Sequence, residues 1–292
     1  MNKILFYAFL KPFSMLPLWV IYGITYPFYL LLAYVIQYRK KVIIKNLTNS
    51  FPEKSSKEIK KIKIQFYRHF FDQLLESIKM ISLSDKEFLR RFKMVNPEIL
   101  KPYYDKGQSI AFVIGHYNNW EFTAAMNAQM DHQYIAIYTP LGNSFINQIV
   151  YNARSKMGTK LVSKHDIGNF LRNPTDQPFM LMFAADQSPY WKSKLHWTEF
   201  LNQKTGVATG VERYAKILDL AVVFGYIEKT KRGHYAITLE VLTDQPKEEP
   251  EGRISEGHVR ALDKQIKETP QYWLWTHKRW KKKVEKNLEK MN

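Results

Sequence analysis

The sequence predicts an α/β fold in which a mixed β-sheet is flanked by helices and preceded by an N-terminal, membrane-embedded helical anchor. The middle of the chain alternates apolar, β-rich runs with segments of helical composition, which is typical of α/β sheets. Two later strand-like segments are joined by residues 231–233, which indicates an antiparallel hairpin and hence a sheet of mixed direction. The first part of the chain contains a long uncharged stretch.

That uncharged stretch covers residues 12–38, and a helix of about 20 such residues crosses the hydrocarbon core of a bilayer. Basic residues 39–41 follow at once, which is the positive-inside signature. A cleaved signal peptide is disfavoured because the stretch ends without a small-residue cleavage site. Helix-breaking residues keep a kinked, re-entrant or surface-lying segment open as an alternative to a full crossing; they are Pro12, Pro17, Gly23 and Pro27. We therefore divide the chain into an anchor, residues 1–38, and a cytoplasmic α/β domain, residues 39–292.

The regular elements of the α/β domain follow from the spacing of its apolar residues. Helices are expected at 40–49, 57–81, 166–171, 206–218 and 255–267. Strands are expected at 110–115, 134–138, 160–162, 179–184, 221–229 and 235–242.

Composition narrows the classes of partner and of chemistry. The 44 Lys and Arg against 27 Asp and Glu leave a net charge of +17, which favours a nucleic acid, an anionic membrane or a phosphorylated substrate. The absence of cysteine excludes disulfides, a thiolate nucleophile and Cys-based zinc sites, and it fits a reducing compartment.

The sharpest local feature follows the first of the central strands, where Gly115 and His116 precede a helix that Asn118 could cap. Functional groups in open α/β sheets gather at the carboxyl ends of strands. From the first helical turns, Glu121 could hydrogen-bond the His116 imidazole, fix its tautomer and make it a better base. The alternative is a satisfied strand-end histidine beside a surface glutamate.

Two further residues could take part in the chemistry. The planar fork of Arg154 suits a phosphate or a carbonyl oxygen, although an arginine here could equally be paired with a surface carboxylate. Asp186 follows the strand expected at 179–184 and could lie at the same sheet edge as His116, although an aspartate at a strand end is often a turn former.

Gly115-His116 followed by Glu121 resembles the histidine-x4-acidic motif of glycerolipid acyltransferases, in the form found in the lipid A late acyltransferases. Other stretches match that family in the same order along the chain: residues 38–47, residues 50–53, Asn152-Ala153-Arg154 with Gly158, residues 185–189, Thr205-Gly206 and residues 270–275. The resemblance implies that His116 is the general base and that Glu121 orients it. It also implies a substrate-binding role for Asn119, Arg154, Asp186 and Gln187, with Asp186 paired with Arg154 or contacting a sugar hydroxyl.

The resemblance implies an O-acyltransferase on the cytoplasmic face of the bacterial inner membrane. It would move an acyl chain from an acyl carrier protein or coenzyme A thioester to a hydroxyl of a lipid A precursor, with no metal and no resident cofactor. The expected partners are membrane lipids, a phosphorylated glycolipid acceptor and the carrier protein. Another glycolipid, a lysophospholipid or an aminolipid is the alternative acceptor, because the motif reports the chemistry alone.

Other classes of function find less support in the sequence. A membrane-tethered nucleic-acid-binding protein would fit the charge, but no nucleic-acid-binding motif is present and no nucleic acid is expected. A metal site is disfavoured because the histidine spacings match no ligand signature, and a serine hydrolase because there is no G-x-S-x-G elbow. Aromatic and basic residues in two stretches, 191–197 and 273–281, could form a skirt at the lipid headgroups or could be core aromatics beside a solvated tail; they are Trp191, Lys192, Lys194, Trp197, Trp273, Trp275, Lys278, Arg279, Trp280 and Lys281.

Overall fold

The computed structural model describes residues 3–173, 175, 177–190 and 193–281. The α-helices are α1 Lys3–Leu5, α2 Lys11–Met15, α3 Leu18–Ile24, α4 Tyr26–Leu30, α5 Lys40–Ser50, α6 Ser56–Lys79, α7 Asp85–Arg91, α8 Lys101–Asp105, α9 Ser144–Ser155, α10 Ile167–Arg172, α11 Gly210–Leu218 and α12 Arg253–Glu268. Short π-helical and 3₁₀ segments lie at Phe6–Leu10, Leu31–Ile36, Pro97–Leu100, Trp120–Ala128 and Pro270–Tyr272.

The strands are β1 Phe92–Met94, β2 Ile110–Ile114, β3 Gln133–Tyr138, β4 Lys160–Ser163, β5 Phe179–Ala184, β6 Leu195–Phe200, β7 Gln203–Ala208, β8 Ala221–Lys231 and β9 His234–Thr243. Seven of them form one sheet in the order β1-β9-β8-β2-β5-β3-β4. Strands β8, β2, β5, β3 and β4 are mutually parallel, and β9 pairs antiparallel with β8. The predicted α/β fold with a mixed sheet and an antiparallel hairpin is therefore confirmed.

The middle of this sheet aligns the ends of two strands. All five residues of β2 are buried, as expected for a central strand covered on both faces. Ile114 of β2 pairs with Ala184 of β5, and the Ala185 amide donates to the Ile114 carbonyl at 3.1 Å. The two strands thus run in register to their carboxyl ends, and the residues that follow them emerge side by side.

The sequence patterns do not predict strand β1 or the separate two-stranded sheet of β6 and β7. The predicted helix at 206–218 begins only at Gly210, because residues 203–208 form strand β7 of a hairpin with β6. Gly206 stands opposite Trp197, and a β-carbon at Gly206 would lie 3.3 Å from that indole ring. Strand β1 has only three residues, too few to show an alternating pattern.

The long helix α6 is the element against which the N-terminal segment packs. Its start is fixed by a capping box between Ser55 and Glu58. Leu18, Ile21 and Tyr22 of α3 form a small buried cluster with Leu75 of α6. The turn between β8 and β9 meets helix α3, since a β-carbon at Gly233, where φ is +71°, would lie 2.8 Å from the Tyr22 hydroxyl.

The predicted anchor is bent. Across the described residues no single helix is long and apolar enough to cross a membrane, but Lys3–Met15 and Leu18–Ile24 pass that test together and meet at 115°. Many apolar side chains of this segment are exposed, among them Phe9, Trp19, Phe28 and Val35. The anchor stays a prediction.

Candidate active site

His116 and Asp186 meet at the carboxyl ends of β2 and β5. The His116 Nδ1 atom lies 2.6 Å from Asp186 Oδ1, and the His116 backbone amide donates to Asp186 Oδ2 at 3.0 Å. The Asp186 side chain is almost fully buried, whereas that of His116 retains 17% of its exposure. The prediction that Asp186 lies at the same sheet edge as His116 is confirmed, and its two oxygens contact the imidazole and the backbone amide of His116.

The C-terminal segment, residues 270–275, completes the surroundings of Asp186. The Trp273 indole N–H donates to Asp186 Oδ2 at 2.7 Å. The same segment pairs with the loop after β2, through a bridge between Tyr117 and Trp273 and a hydrogen bond from the Leu274 amide to the His116 carbonyl. Asp186 therefore accepts three hydrogen bonds in a buried position, which favours its charged form.

His116 and Asp186 each favour the charged form of the other. Burial lowers the pKa of His116, but the charge and hydrogen bond of Asp186, with a contribution from Glu121, raise it further, so the net shift is upward. Burial raises the pKa of Asp186, but His116 and the Trp273 hydrogen bond outweigh it, so the pKa of Asp186 is lowered. Asp186 is thus ionised at neutral pH, and an Nδ1–H of His116 donates to it.

The other ring nitrogen of His116 faces the open side of the site. Its Nε2 atom lies 3.1 Å from Gln187 Nε2, so with Nδ1 protonated it accepts a hydrogen bond from the Gln187 amide. The Trp120 ring stands edge-on to the imidazole, with ring centroids 4.9 Å apart. The lone pair of Nε2 is therefore available to a ligand that displaces the exposed Gln187 side chain.

Glu121 does not contact His116 in this structure, so the predicted hydrogen bond between them is wrong. Both Glu121 oxygens bind Arg154, with Nε donating at 2.7 Å and Nη2 at 2.5 Å. Residues 120–128 form a 3₁₀ helix in which Asn119, at the N-cap position, makes no side-chain cap, and Asn118 has a left-handed φ of +50°. The α-helical geometry that would direct Glu121 back at the histidine is therefore absent from this segment.

Of the two roles predicted for Asp186, the pairing with Arg154 is wrong, because each has another partner, and the contact with a sugar hydroxyl stays a prediction. The guanidinium has five N–H donors, and the bidentate pair with Glu121 uses two of them. The Arg154 side chain keeps 31% of its exposure and that of Glu121 keeps 17%. Arg154 can therefore bind a ligand while its charge remains anchored by Glu121.

Asn119 does not contact substrate space, contrary to the prediction. It is fully buried, and its Nδ2 donates to Glu76 Oε2 at 2.7 Å. Glu76 also accepts hydrogen bonds from the hydroxyls of Tyr22 and Tyr235, at 2.6 and 2.7 Å. This buried carboxylate links helix α3, strand β9 and the loop that carries His116.

Replacing Glu76 tests that link. Burial raises the pKa of Glu76, and its hydrogen bonds offset only part of the rise. The carboxylate is the shared acceptor of Tyr22, Asn119 and Tyr235, so its removal leaves all three donors without it. We expect Glu76→Ala to lower the free energy of unfolding by about 3 kcal/mol, because three buried donors lose their acceptor at about 1 kcal/mol or more each. Denaturant titration would measure this change. The exposed Glu248→Ala is the matched control, expected within about 0.5 kcal/mol of wild type, and equal stability of the two variants would contradict the assignment.

A cavity of about 340 Å³ opens beside the histidine. Its polar lining includes His116, Glu121, Arg154 and Gln187, and its apolar lining comes largely from β3 and β5 and includes Met182. The site thus joins a base, an anchored cation and an apolar wall in one cleft.

Several residues of the site or its surroundings were not recognised as such from the sequence. Trp273 and Trp275 are buried, so the skirt of headgroup-facing residues does not include them. Arg279 is also buried, where desolvation lowers its pKa to about 10 despite the charge of Asp186. The only sequence signal for Trp273 was its place in the family-like stretch 270–275, while Trp191 and Lys192 lie outside the described residues.

No group of three or more His, Cys, Asp or Glu side chains is placed to hold a metal ion in the described part of the chain.

The α/β fold places His116, Asp186, Arg154 and Glu121 around one cleft, and comparison with known proteins gives the class of the chain, an acyltransferase. The chain belongs to the bacterial lipid A biosynthesis acyltransferase family, whose model matches residues 2–282. It is similar to the lipid A biosynthesis lauroyltransferase of Escherichia coli (strain K12), at 20% identity over 250 residues that cover 85% of this chain and 80% of that relative.

Proposed function

We propose that this acyltransferase moves a fatty-acyl chain from a thioester to a hydroxyl of a lipid A precursor, with His116 as general base. The observation that carries the proposal is the His116–Asp186 pair, which leaves Nε2 of the imidazole as an acceptor at the cavity. A base held in one tautomer by a buried carboxylate is poised to take a proton from a bound hydroxyl.

The transfer needs no nucleophile from the protein. The acceptor hydroxyl replaces the Gln187 amide at His116 Nε2, gives its proton to that nitrogen and attacks the thioester carbonyl carbon. The resulting tetrahedral intermediate collapses with cleavage of the carbon–sulfur bond, and the departing thiolate receives the proton from the imidazolium. The base is regenerated, and the products are an ester and a free thiol.

The pair of Arg154 and Glu121 serves binding and charge stabilisation in this proposal. Arg154 lines the cavity, and its N–H groups outside the pair with Glu121 can bind a phosphate or the oxyanion of the intermediate. Glu121 holds the guanidinium in place and adds a distant negative charge that favours the imidazolium. Gln187 would contact the acceptor after giving up its hydrogen bond with His116.

The partners and the location belong to the same proposal. We infer that the N-terminal segment attaches the enzyme to the cytoplasmic face of the inner membrane, because its exposed side chains are largely apolar and basic residues follow it. The net charge of +17 supports an acidic carrier protein as donor and a phosphorylated glycolipid as acceptor, with no need for a resident cofactor or metal.

An assay of the purified protein in detergent tests this proposal. A phosphorylated glucosamine lipid acceptor is supplied with either acyl carrier protein or coenzyme A thioesters, and ester formation is followed by mass spectrometry. We expect acylation of this acceptor with the carrier-protein donor. Transfer only to a lysophospholipid, an aminolipid or another glycolipid would retain the chemistry and refute the acceptor, and hydrolysis of the thioester without transfer would refute both.

A further inference from the structure

A second and larger cavity, of about 960 Å³, lies away from His116. It is enclosed by α3, the end of α6, helix α7 and the turn between β8 and β9. None of its lining residues lines the cavity at His116. The two cavities are therefore separate binding spaces, and the acyl-transfer mechanism does not use the larger one.

Its lining is strongly basic. Five cationic side chains face it against the single carboxylate of Glu87; they are Arg68, Lys79, Arg90, Arg91 and Arg232. Glu87 is already engaged by Arg90 and Arg91, at 2.8 and 2.5 Å. The lining therefore carries an excess of positive charge that its own carboxylate does not neutralise.

Some of these cations have structural partners, and others are available. Lys79 donates to the carbonyls of Ser14 and Leu16, and Arg232 pairs with Asp72. Arg68 is exposed and makes no hydrogen bond or ion pair with any residue that the structure describes. Arg91 is only 8% exposed, yet its Nε has no hydrogen-bond partner within the described residues. The other Arg91 nitrogens are engaged, since Nη1 donates to the Gly233 carbonyl at 3.0 Å and Nη2 pairs with Glu87, so Arg68 is the cation that is available to a ligand without loss of a partner.

The rim of the cavity is apolar and aromatic. Trp19 of α3 is 76% exposed, Met15 65% and Tyr26 51%, and all three line the cavity mouth or its wall. Indole and phenol rings beside arginine side chains are typical of the lipid headgroup region, where each Lys or Arg adds about 1 kcal/mol of attraction to anionic lipid. A free small anion would use the arginines but not this rim.

We propose that this cavity binds the phosphate headgroup of an anionic membrane lipid, with the phosphate against Arg68 and Arg90 and the acyl chains leaving past Trp19. Arginine forks match phosphate oxygens bidentately, and the apolar residues Met15 and Trp19 on either side of the bend between α2 and α3 line the same cavity. Binding here needs no acyl transfer, so the inference stands whether or not the proposed acceptor is correct.

Short-chain lipids provide the test. Dihexanoyl phosphatidic acid, dihexanoyl phosphatidylcholine and inorganic phosphate are titrated by calorimetry into the full-length protein in a neutral detergent. We expect phosphatidic acid to bind at least about 10-fold more tightly than either of the others, because it alone combines an uncompensated phosphate with acyl chains. Equal affinity for inorganic phosphate would overturn the lipid assignment, and equal affinity for phosphatidylcholine would overturn the headgroup assignment.

Matched variants locate the binding. Arg68→Ala with Arg90→Ala removes two cavity cations and should weaken phosphatidic acid binding by about 10- to 30-fold, from about 1 kcal/mol for each cation. Arg172→Ala with Arg253→Ala removes the same charge from exposed positions outside the cavity and should change affinity less than twofold. Equal weakening in the two double variants would mean that net charge, not this cavity, recruits the lipid. His116→Ala should bind as wild type, whereas lost binding would move the site to the catalytic cavity.

Discussion

His116→Ala should lower kcat by about 10²–10⁴-fold, the contribution of a positioned general base. The substitution removes Nε2, the only atom of the pair that faces the cavity, and leaves Asp186 with its hydrogen bond from Trp273. The acceptor hydroxyl then has no base within reach. Because His116 is not needed to form the cavity wall of β3 and β5, the KM for either substrate should change far less than kcat.

Steady-state kinetics with each substrate varied in turn would measure this effect. His165→Ala is the matched control, since His165 is exposed and does not line the cavity at His116, and it should retain wild-type rates. Circular dichroism of both variants would show that each is folded. A folded His116→Ala variant with a wild-type kcat would refute the mechanism, including the role given to Asp186.

Asp186→Asn should be the second most damaging substitution, with a loss of kcat in the same range of about 10²–10⁴-fold. Asparagine removes the charge that stabilises the imidazolium and turns one acceptor into a donor, which then faces the N–H groups of His116 and Trp273. Glu121→Gln should cost less, because Glu121 binds Arg154 and reaches the imidazole only through its field.

The pH dependence separates an orienting carboxylate from a merely structural one. The base must be neutral, so kcat/KM falls as the pH drops below the pKa of His116, which is raised chiefly by Asp186 against the effect of burial. Removing that charge lowers the pKa, so the acidic limb of the Asp186→Asn profile should move to lower pH while its plateau drops. Glu121→Gln should shift the limb in the same direction by less. A larger shift in Glu121→Gln would make Glu121 the orienting residue after all.

The sequence by itself determined much of the fold and the base of the site. Strand β5 was predicted with its exact bounds and β3 to within one residue, because buried strands in parallel sheets are continuous apolar runs flanked by turn residues. Helix α6 was visible from its apolar spacing, and the position of His116 after β2 from the strand that ends at Ile114. These features depend on the composition of a single segment, so they can be predicted from that segment alone.

Only the tertiary structure decided which carboxylate holds the histidine. Asp186 is 70 residues from His116 along the chain, and the two meet because β5 lies next to β2, although β3 and β4 come between them in sequence. Strand order depends on how all the helices pack on the sheet, so a spacing of five residues pointed to Glu121 instead. Residues 120–128 form a 3₁₀ helix, in which Glu121 binds Arg154. The C-terminal segment pairs with the His116 loop, which places the Trp273 indole against Asp186. Each of these contacts joins segments far apart in the chain, so a local sequence pattern cannot predict them.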